Sequence, residues 1–202
     1  MTDEQLEKNL AAFRSLKAII PDPRRSSVDE MMESQTGTWY LTSPASSREN
    51  FHSCFPGGLL DHSLRVVRYL KKLADAMCPG LFSDEALVFV ALFHDLGKSG
   101  DGEHEGYVPN PTDWQRRKGE LYVPNPKCTW MTTSERSLYL LQSHGIRLEA
   151  TEYLAIKLHD GMHVKENEPY RNREPLLALY LHWADLAAAR EEKKSWEATR
   201  EA

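Results

Sequence analysis

Residues 83–98 read Ser83-Asp84-Glu85-Ala86-Leu87-Val88-Phe89-Val90-Ala91-Leu92-Phe93-His94-Asp95-Leu96-Gly97-Lys98, and their reading decides the fold. Ser83 suits a helix N-cap, and Asp84 and Glu85 stand where the positive end of the helix dipole favours carboxylates. Ala86 to Phe93 is apolar on every side, as in a helix buried at the centre of a domain. That run spans eight residues, far short of the ~20 needed to cross a bilayer. The pattern predicts a helix ending near Leu96, with Gly97 as its C′ residue. His94-Asp95 therefore closes a buried helix, where charge is costly unless it is paired or bound to metal.

Outward from this stretch, the periodicities are helical. Leu6, Leu10, Phe13, Leu16 and Ile19 or Ile20 predict an amphipathic helix over 3–19, stopped by Pro21 and Pro23. Residues 21–58 read as irregular, with one apolar patch at Trp39-Tyr40-Leu41. A helix is predicted from Leu59 to Met77, closed by Pro79-Gly80. Residues 98–131 are rich in Gly, Pro, Asn and Asp and carry an echo, Tyr107-Val108-Pro109-Asn110-Pro111 and Tyr122-Val123-Pro124-Asn125-Pro126. Two copies of five residues do not make a repeat protein. A long loop or β-hairpin insertion is expected there, and such segments are often functional. Thr132-Thr133-Ser134-Glu135 is a capping box that starts a helix to about Ser143, with Gly145 behind it. Further helices are expected over Ala150–Leu158 and from Glu174-Pro175 to about Trp196. Six helices and few strand signals define a single all-α domain over 1–202.

Composition narrows the function. Hydrophobic residues make up 41% and charged residues 27% of the 202 residues, an ordinary globular balance that excludes disordered, collagen-like and coiled-coil classes. The N-terminus, MTDEQLEKNL, has no apolar signal stretch. Cys54, Cys78 and Cys128 form neither a disulfide framework nor a CxxC knuckle, so a reducing, cytoplasmic setting is expected, with no membrane partner. With 25 Lys and Arg against 30 Asp and Glu, the net charge is −5, unfavourable for binding long nucleic acid. Arg116-Arg117-Lys118 is either a local basic patch or a solvated surface.

Four candidate ligands fall on inward faces of three helices. His62 shares a stripe with Val66, Tyr69, Leu70, Leu73 and Met77. His94 and Asp95 end the buried helix, and Asp185 lies on the face of Leu177, Leu181 and Ala188. One buried histidine is usually structural, and so is one buried aspartate. Two imidazoles and two carboxylates together suit a borderline or hard divalent ion with positions left for water. Mn, Mg, Fe, Zn, Co and Ni all fit that donor set.

In order, His62, Phe93-His94-Asp95-Leu96-Gly97-Lys98 and Asp185 match the H…HD…D pattern of the HD superfamily of metal-dependent phosphohydrolases, which the chain resembles. Pro44-Ala45-Ser46, Phe51-His52 and Pro56-Gly57-Gly58-Leu59-Leu60-Asp61-His62-Ser63-Leu64 resemble the PAS…HH…GGLLEHSL stretch of its phosphodiesterase branch, which includes 3′→5′ exoribonucleases. Leu181-His182-Trp183-Ala184-Asp185-Leu186 resembles that branch's closing LHxxD phrase. The likeness covers about residues 44–190 and implies an HD-type helical bundle with 98–131 inserted after the HD helix.

Members with two metals add a GH histidine and an HHG pair. Here the first falls near Met131-Thr132-Thr133, without a histidine, and the pair reads Leu158-His159-Asp160-Gly161. The resemblance offers His159 and Asp160 for a second ion, with His144 as a substitute ligand or merely a residue at a helix end. His163 and His104 receive no role. Asp95 is expected to orient the attacking water as well as to bind metal. Lys98 is either a neutraliser of phosphate charge or a partner of the helix dipole. His52 is a phosphate contact, a leaving-group acid or a structural loop residue. Arg136 is an anion contact at a helix start or a surface charge. Trp114, beside Arg117, suits stacking on a base, and the insertion is expected to border the site. The leading expectation is hydrolysis of phosphoesters of a small nucleotide. A 3′→5′ exonuclease on short single-stranded nucleic acid and a non-catalytic nucleotide sensor are the alternatives, and oligomeric assembly stays open.

Overall fold

The computed structural model describes the backbone of residues 1–201 and the side chains of residues 1–194. Nine α-helices appear among the described residues: α1 (Asp3–Lys17), α2 (Arg24–Glu33), α3 (Gln35–Thr42), α4 (Gly58–Met77), α5 (Asp84–Phe93), α6 (Asp113–Arg117), α7 (Thr133–Ser143), α8 (Ala150–Leu158) and α9 (Leu176–Glu201). Two three-residue strands, β1 (Tyr107–Pro109) and β2 (Tyr122–Pro124), form an antiparallel hairpin. The molecule is thus an all-α bundle with a small hairpin insertion.

The central helix is α5, whose residues Leu87 to Phe93 are all buried. Its N-cap is Ser83, which accepts from the Ala86 N–H. α4 packs on one side of α5 and α9 packs on α4, while α8 bridges α5 and α9. Each of these helices turns an i, i+3, i+4 stripe inward, as with Leu59, His62, Val66 and Leu70 of α4 and Leu177, Leu181, Ala184 and Ala188 of α9. The polar candidates His62 and Asp185 ride on these same stripes, so burial of the apolar neighbours carries them inside.

The α-helix stops at Phe93, earlier than the sequence pattern predicts, and a 3-10 turn follows over Leu96–Lys98. Gly97 lies inside that turn rather than acting as a helix C′ residue. The turn packs tightly on α7, where Ser137 Oγ accepts from the Gly97 N–H at 2.8 Å and lies 2.8 Å from the His94 carbonyl. The C-terminal end of α5 is therefore tied to another helix through Ser137.

Residues 21–58 depart from the expected irregular segment, since α2 and α3 occupy much of it. α2 buries only Val28 and Met31, three residues apart, a stripe too sparse to stand out from its polar sequence. α3 begins behind Ser34, whose hydroxyl accepts from the Thr36 N–H. It carries Tyr40 into the core, with its hydroxyl donating to the Leu92 carbonyl at 2.7 Å. The Arg24 guanidinium of α2 lies 3.6 Å above the Phe89 ring, and Glu152 binds it through both nitrogens at 2.9 and 2.6 Å.

The two YVPNP segments become the paired strands, with Val108 opposite Val123. The base of the hairpin is anchored at the turn after α5, with the Gly106 N–H donating to the Ser99 carbonyl at 2.9 Å. Its far end, which carries α6, lies against the loop after α3: the Glu49 N–H donates to the Gly119 carbonyl, and the Tyr122 N–H to the Ser47 carbonyl. No helix among the described residues is long and apolar enough to cross a membrane, and the three cysteines are free thiols.

Candidate metal centre

Side chains from four parts of the chain meet at the C-terminal end of α5. His62 Nε2 lies 3.0 Å from Asp185 Oδ1 and 3.7 Å from Asp95 Oδ2. His94 Nε2 lies 3.4 Å from Asp95 Oδ2 and 3.8 Å from Asp185 Oδ1. On the other side of Asp95, Oδ1 is 3.4 Å from His159 Nε2. Three overlapping sets with metal-holding geometry result: His52, His62 and Asp95; His62, His94 and Asp185; and His94, Asp95 and His159. Asp95 belongs to two of them and faces a different histidine with each oxygen.

The imidazoles are prepared as ligands. His94 Nδ1–H donates to the Ala91 carbonyl at 2.9 Å, and His159 Nδ1–H donates to the Ile156 carbonyl at 2.7 Å. His62 Nδ1–H donates to the Glu192 carboxylate at 3.0 Å. These acceptors cannot donate in return, so each bond places a proton on Nδ1 and leaves the lone pair of a neutral ring on Nε2. Nε2 of His62 and of His94 is buried and makes no properly aligned hydrogen bond, despite the carboxylate oxygens nearby. Buried polar atoms are rarely left so. The orphaned nitrogens and two carboxylates form a donor set suited to a divalent cation.

The electrostatics agree. Burial opposes ionisation of Asp95, but Lys98 and His94 outweigh it and hold the carboxyl well below the usual range. Asp185 is likewise depressed, because His62 and His94 overcome its burial. Burial lowers the His94 pKa, but Asp95 and Asp185 more than reverse this and push it up to about 10. The carboxylates therefore draw positive charge onto the rings, and a dication satisfies the same demand by displacing those protons.

The other candidates separate clearly. Lys98 is nearly enclosed and donates to Asp95 Oδ2 at 2.6 Å, which makes its charge part of the cluster. His52 stacks 4.6 Å from His62, ring centre to ring centre, and its Nε2 is 3.5 Å from Lys98 Nζ. Burial and the Lys98 charge push its pKa down to about 3, which suits a ligand or an acceptor and not an acid. His159 is buried in the cluster, whereas the Asp160 carboxylate is half exposed, 3.7 Å from His159 Nε2. His144 stands apart, against Thr36 Oγ1 at 3.4 Å, and belongs to no metal-holding set among the described residues.

Arg136 is held by backbone carbonyls. Its two terminal nitrogens donate to the Gly97 and Thr129 carbonyls, so it ties α7 to the preceding turn and loop. Trp114 is 62% exposed on α6, with Lys118 Nζ 3.7 Å above its ring, and Arg117 is exposed beside it. Both stand at the far end of the hairpin, about 10 Å along the strands from Tyr107. It is Tyr107, at the base, that feels the charges of Lys98 and Asp95. Glu192 has no signal of its own in the sequence, and His182 stands out there only within the LHxxD-like phrase. His182 Nδ1–H donates to the His159 carbonyl at 2.7 Å and supports that ligand from behind. A cavity of about 540 Å³ lies at the opposite end of α5 around Arg24, Glu85 and Glu152. Those charges already neutralise one another, so the cavity's size does not make it the reaction site.

The HD domain model matches residues 59–190 of the chain, which spans His62, His94, Asp95, His159 and Asp185. The protein belongs to the HD domain family, a family of metal-dependent phosphohydrolases. The matched span begins after the Pro44-Ala45-Ser46 and His52 stretch. No curated protein and no solved structure matched the chain.

Proposed function

We propose that this protein hydrolyses phosphoester bonds of small nucleotides in the cytoplasm. The observation that carries the reading is the shared aspartate: Asp95 presents one oxygen to His62 and His94 and the other to His159, with Lys98 bound at its edge. His62, His94, Asp95 and Asp185 would hold one ion, and His159, with Asp95 and Asp160, a second. A divalent ion there supplies a water of lowered pKa and a Lewis acid for a phosphoryl oxygen.

The chain's own groups account for the rest. Lys98 puts a fixed positive charge where the charge of a phosphoryl group must be met. Neutral His52 accepts from Lys98 and keeps the ammonium turned toward Asp95. Asp95 accepts a hydrogen bond from the attacking water and so orients it. Beside His52, a cleft of about 240 Å³ is lined by Phe51, Leu186, Arg190 and Lys193. Apolar and cationic side chains together suit a base and a further phosphate. The net charge of −5 supports a small substrate over a long strand.

A panel of nucleoside phosphates, cyclic nucleotides, dinucleotides and single-stranded oligomers tests the reading. It should be run with Mn²⁺, Mg²⁺, Fe²⁺, Zn²⁺, Co²⁺ and Ni²⁺ and read as phosphate, pyrophosphate or mononucleotide release. Turnover of nucleotides or dinucleotides with weak salt dependence is expected. Turnover confined to longer single strands, falling steeply with salt, would establish the exonuclease instead, and tight nucleotide binding without turnover would establish a sensor. Trp114→Ala and Arg117→Ala are expected to shift selectivity among accepted nucleotides by up to about tenfold, with metal content unchanged. If neither affinity nor selectivity moves, the far end of the hairpin takes no part in recognition.

A further inference from the structure

Glu192 and Ser53 both lie outside the span that matches the HD domain. Glu192 is on α9, seven residues after Asp185, and Ser53 follows His52 in the loop that leads into α4. Glu192 is 7% exposed. Its Oε1 accepts from His62 Nδ1–H at 3.0 Å, and its Oε2 accepts from the Ser53 hydroxyl at 2.6 Å. Arg65 Nε lies 3.9 Å from Oε1. A buried carboxylate behind a ligand histidine adds negative charge to a place that already holds Asp95 and Asp185, which is costly unless that charge has a use.

Ser53 is fixed independently of Glu192. Its φ is +41°, a left-handed conformation uncommon for serine. Its carbonyl accepts from the Ala45 and Phe55 N–H groups at 3.0 and 2.9 Å. Gly58, which opens α4, backs directly onto it, since a Cβ there would lie 2.0 Å from the same carbonyl oxygen. One carboxylate thus joins α9, the ligand on α4 and the loop that brings His52 to the cluster.

We propose that Ser53 and Glu192 form a positioning pair for the metal centre. Glu192 holds the His62 ring with Nε2 turned toward Asp95 and Asp185 and raises its strength as a ligand. Ser53 keeps that carboxylate in place and registers the His52 loop against α9. The proposal rests on the metal-centre reading above. It concerns two residues that touch neither metal nor substrate, and both act through His62.

Chelated protein titrated with Co²⁺, followed by its visible ligand-field absorption and by calorimetry, gives a readout independent of turnover. Glu192→Ala is expected to weaken the tightest Co²⁺ site about 10- to 100-fold, the usual loss when such a partner is removed. Glu192→Gln, which keeps an acceptor for Nδ1–H, should recover much of that loss. Ser53→Ala should weaken binding less, and the Ser53→Ala, Glu192→Ala double variant should be no weaker than Glu192→Ala alone, because the two act as a unit. Far-ultraviolet circular dichroism in EDTA should show every variant folded, with Glu192→Ala melting lower because His62 Nδ1–H and the Ser53 hydroxyl lose their acceptor. Co²⁺ affinity unchanged in Glu192→Ala overturns the pair, as do fully additive effects of the two substitutions. If Glu192→Ala does not fold, Glu192→Asp replaces it: the shorter side chain cannot span both partners, and unchanged affinity there also overturns the proposal. Failure of the unaltered protein to bind Co²⁺ at all overturns the metal-centre reading itself.

Discussion

Asp185→Ala is expected to lower phosphoester hydrolysis by at least about two to three orders of magnitude, the size of losing a major transition-state contact. Asp185 Oδ1 is the carboxylate oxygen nearest His62 Nε2, at 3.0 Å, and it also faces His94. Its removal takes one of the two negative charges from the four-residue set. The helix should survive, because alanine is well tolerated there and the stripe of Leu181, Ala184 and Ala188 is untouched. Elemental analysis and turnover in one preparation check this. Stoichiometric metal with normal turnover in Asp185→Ala would mean that the likeness is one of fold alone.

Asp95→Ala should lose as much activity but differ in stability. From the sequence, removing either carboxylate is expected to relieve like-charge repulsion in the metal-free protein. The structure changes that expectation for Asp95, whose closest partner is the nearly enclosed Lys98 ammonium at 2.6 Å. Deleting Asp95 strands a buried cation, a loss of about 3 kcal/mol or more. Metal-free Asp95→Ala should therefore melt below metal-free Asp185→Ala. The reverse order would show that Lys98 finds another partner.

Gly97→Ala is the second large effect, and it acts through packing. A Cβ on Gly97 would lie 2.3 Å from the Thr133 carbonyl oxygen and 2.9 Å from both Arg136 Cβ and the Ser137 nitrogen. The neighbours are backbone and the root of a side chain, so α7 must retreat from the turn. Overpacking of this kind costs about 1–3 kcal/mol, and loss of the Gly97 N–H bond to Ser137 adds about 1 kcal/mol. A total near 3 kcal/mol corresponds to roughly 10 °C in melting temperature for a domain of this size. Asp95 lies two residues before Gly97 and Lys98 directly after it, so metal affinity should fall too. An unchanged melting curve would show that the turn and α7 are not tightly coupled.

Much of the site is legible in the sequence because its ligands share stripes with apolar residues. His62 repeats with Val66 and Leu70, and Asp185 with Leu181 and Ala188, so packing and ligation obey the same periodicity. Glu192 lies on that stripe as well, four residues past Ala188. It is hidden among Arg190, Glu191, Lys193 and Lys194, a charge run that reads as a solvated face. Only the approach of His62 and Ser53 from other segments shows that it is buried.

The hairpin is legible in the sequence as one of two alternatives, a long loop or a β-hairpin. Each strand has three residues, too few for an alternation of apolar and polar positions to register. The repeated Tyr-Val-Pro segments carried the information, since like segments pair antiparallel with valine opposite valine. α2 is not legible in the sequence because two buried residues do not make a visible period. Its position depends on long-range partners, Arg24 on Phe89 and Glu152, which no local pattern reveals. The sequence leaves His52 open between a phosphate contact, a leaving-group acid and a loop histidine, and its approach to His62 and Lys98 is likewise tertiary.

The most direct test of the central claim is an anomalous-difference map from crystals grown with Mn²⁺. A peak is expected about 2.0–2.3 Å from Nε2 of His62 and His94 and from the carboxylates of Asp95 and Asp185, first-row metal–ligand distances. A second peak is expected between Asp95 and His159. Four intact side chains around a site with no anomalous signal at saturating Mn²⁺, or an ion bound only elsewhere, would contradict it.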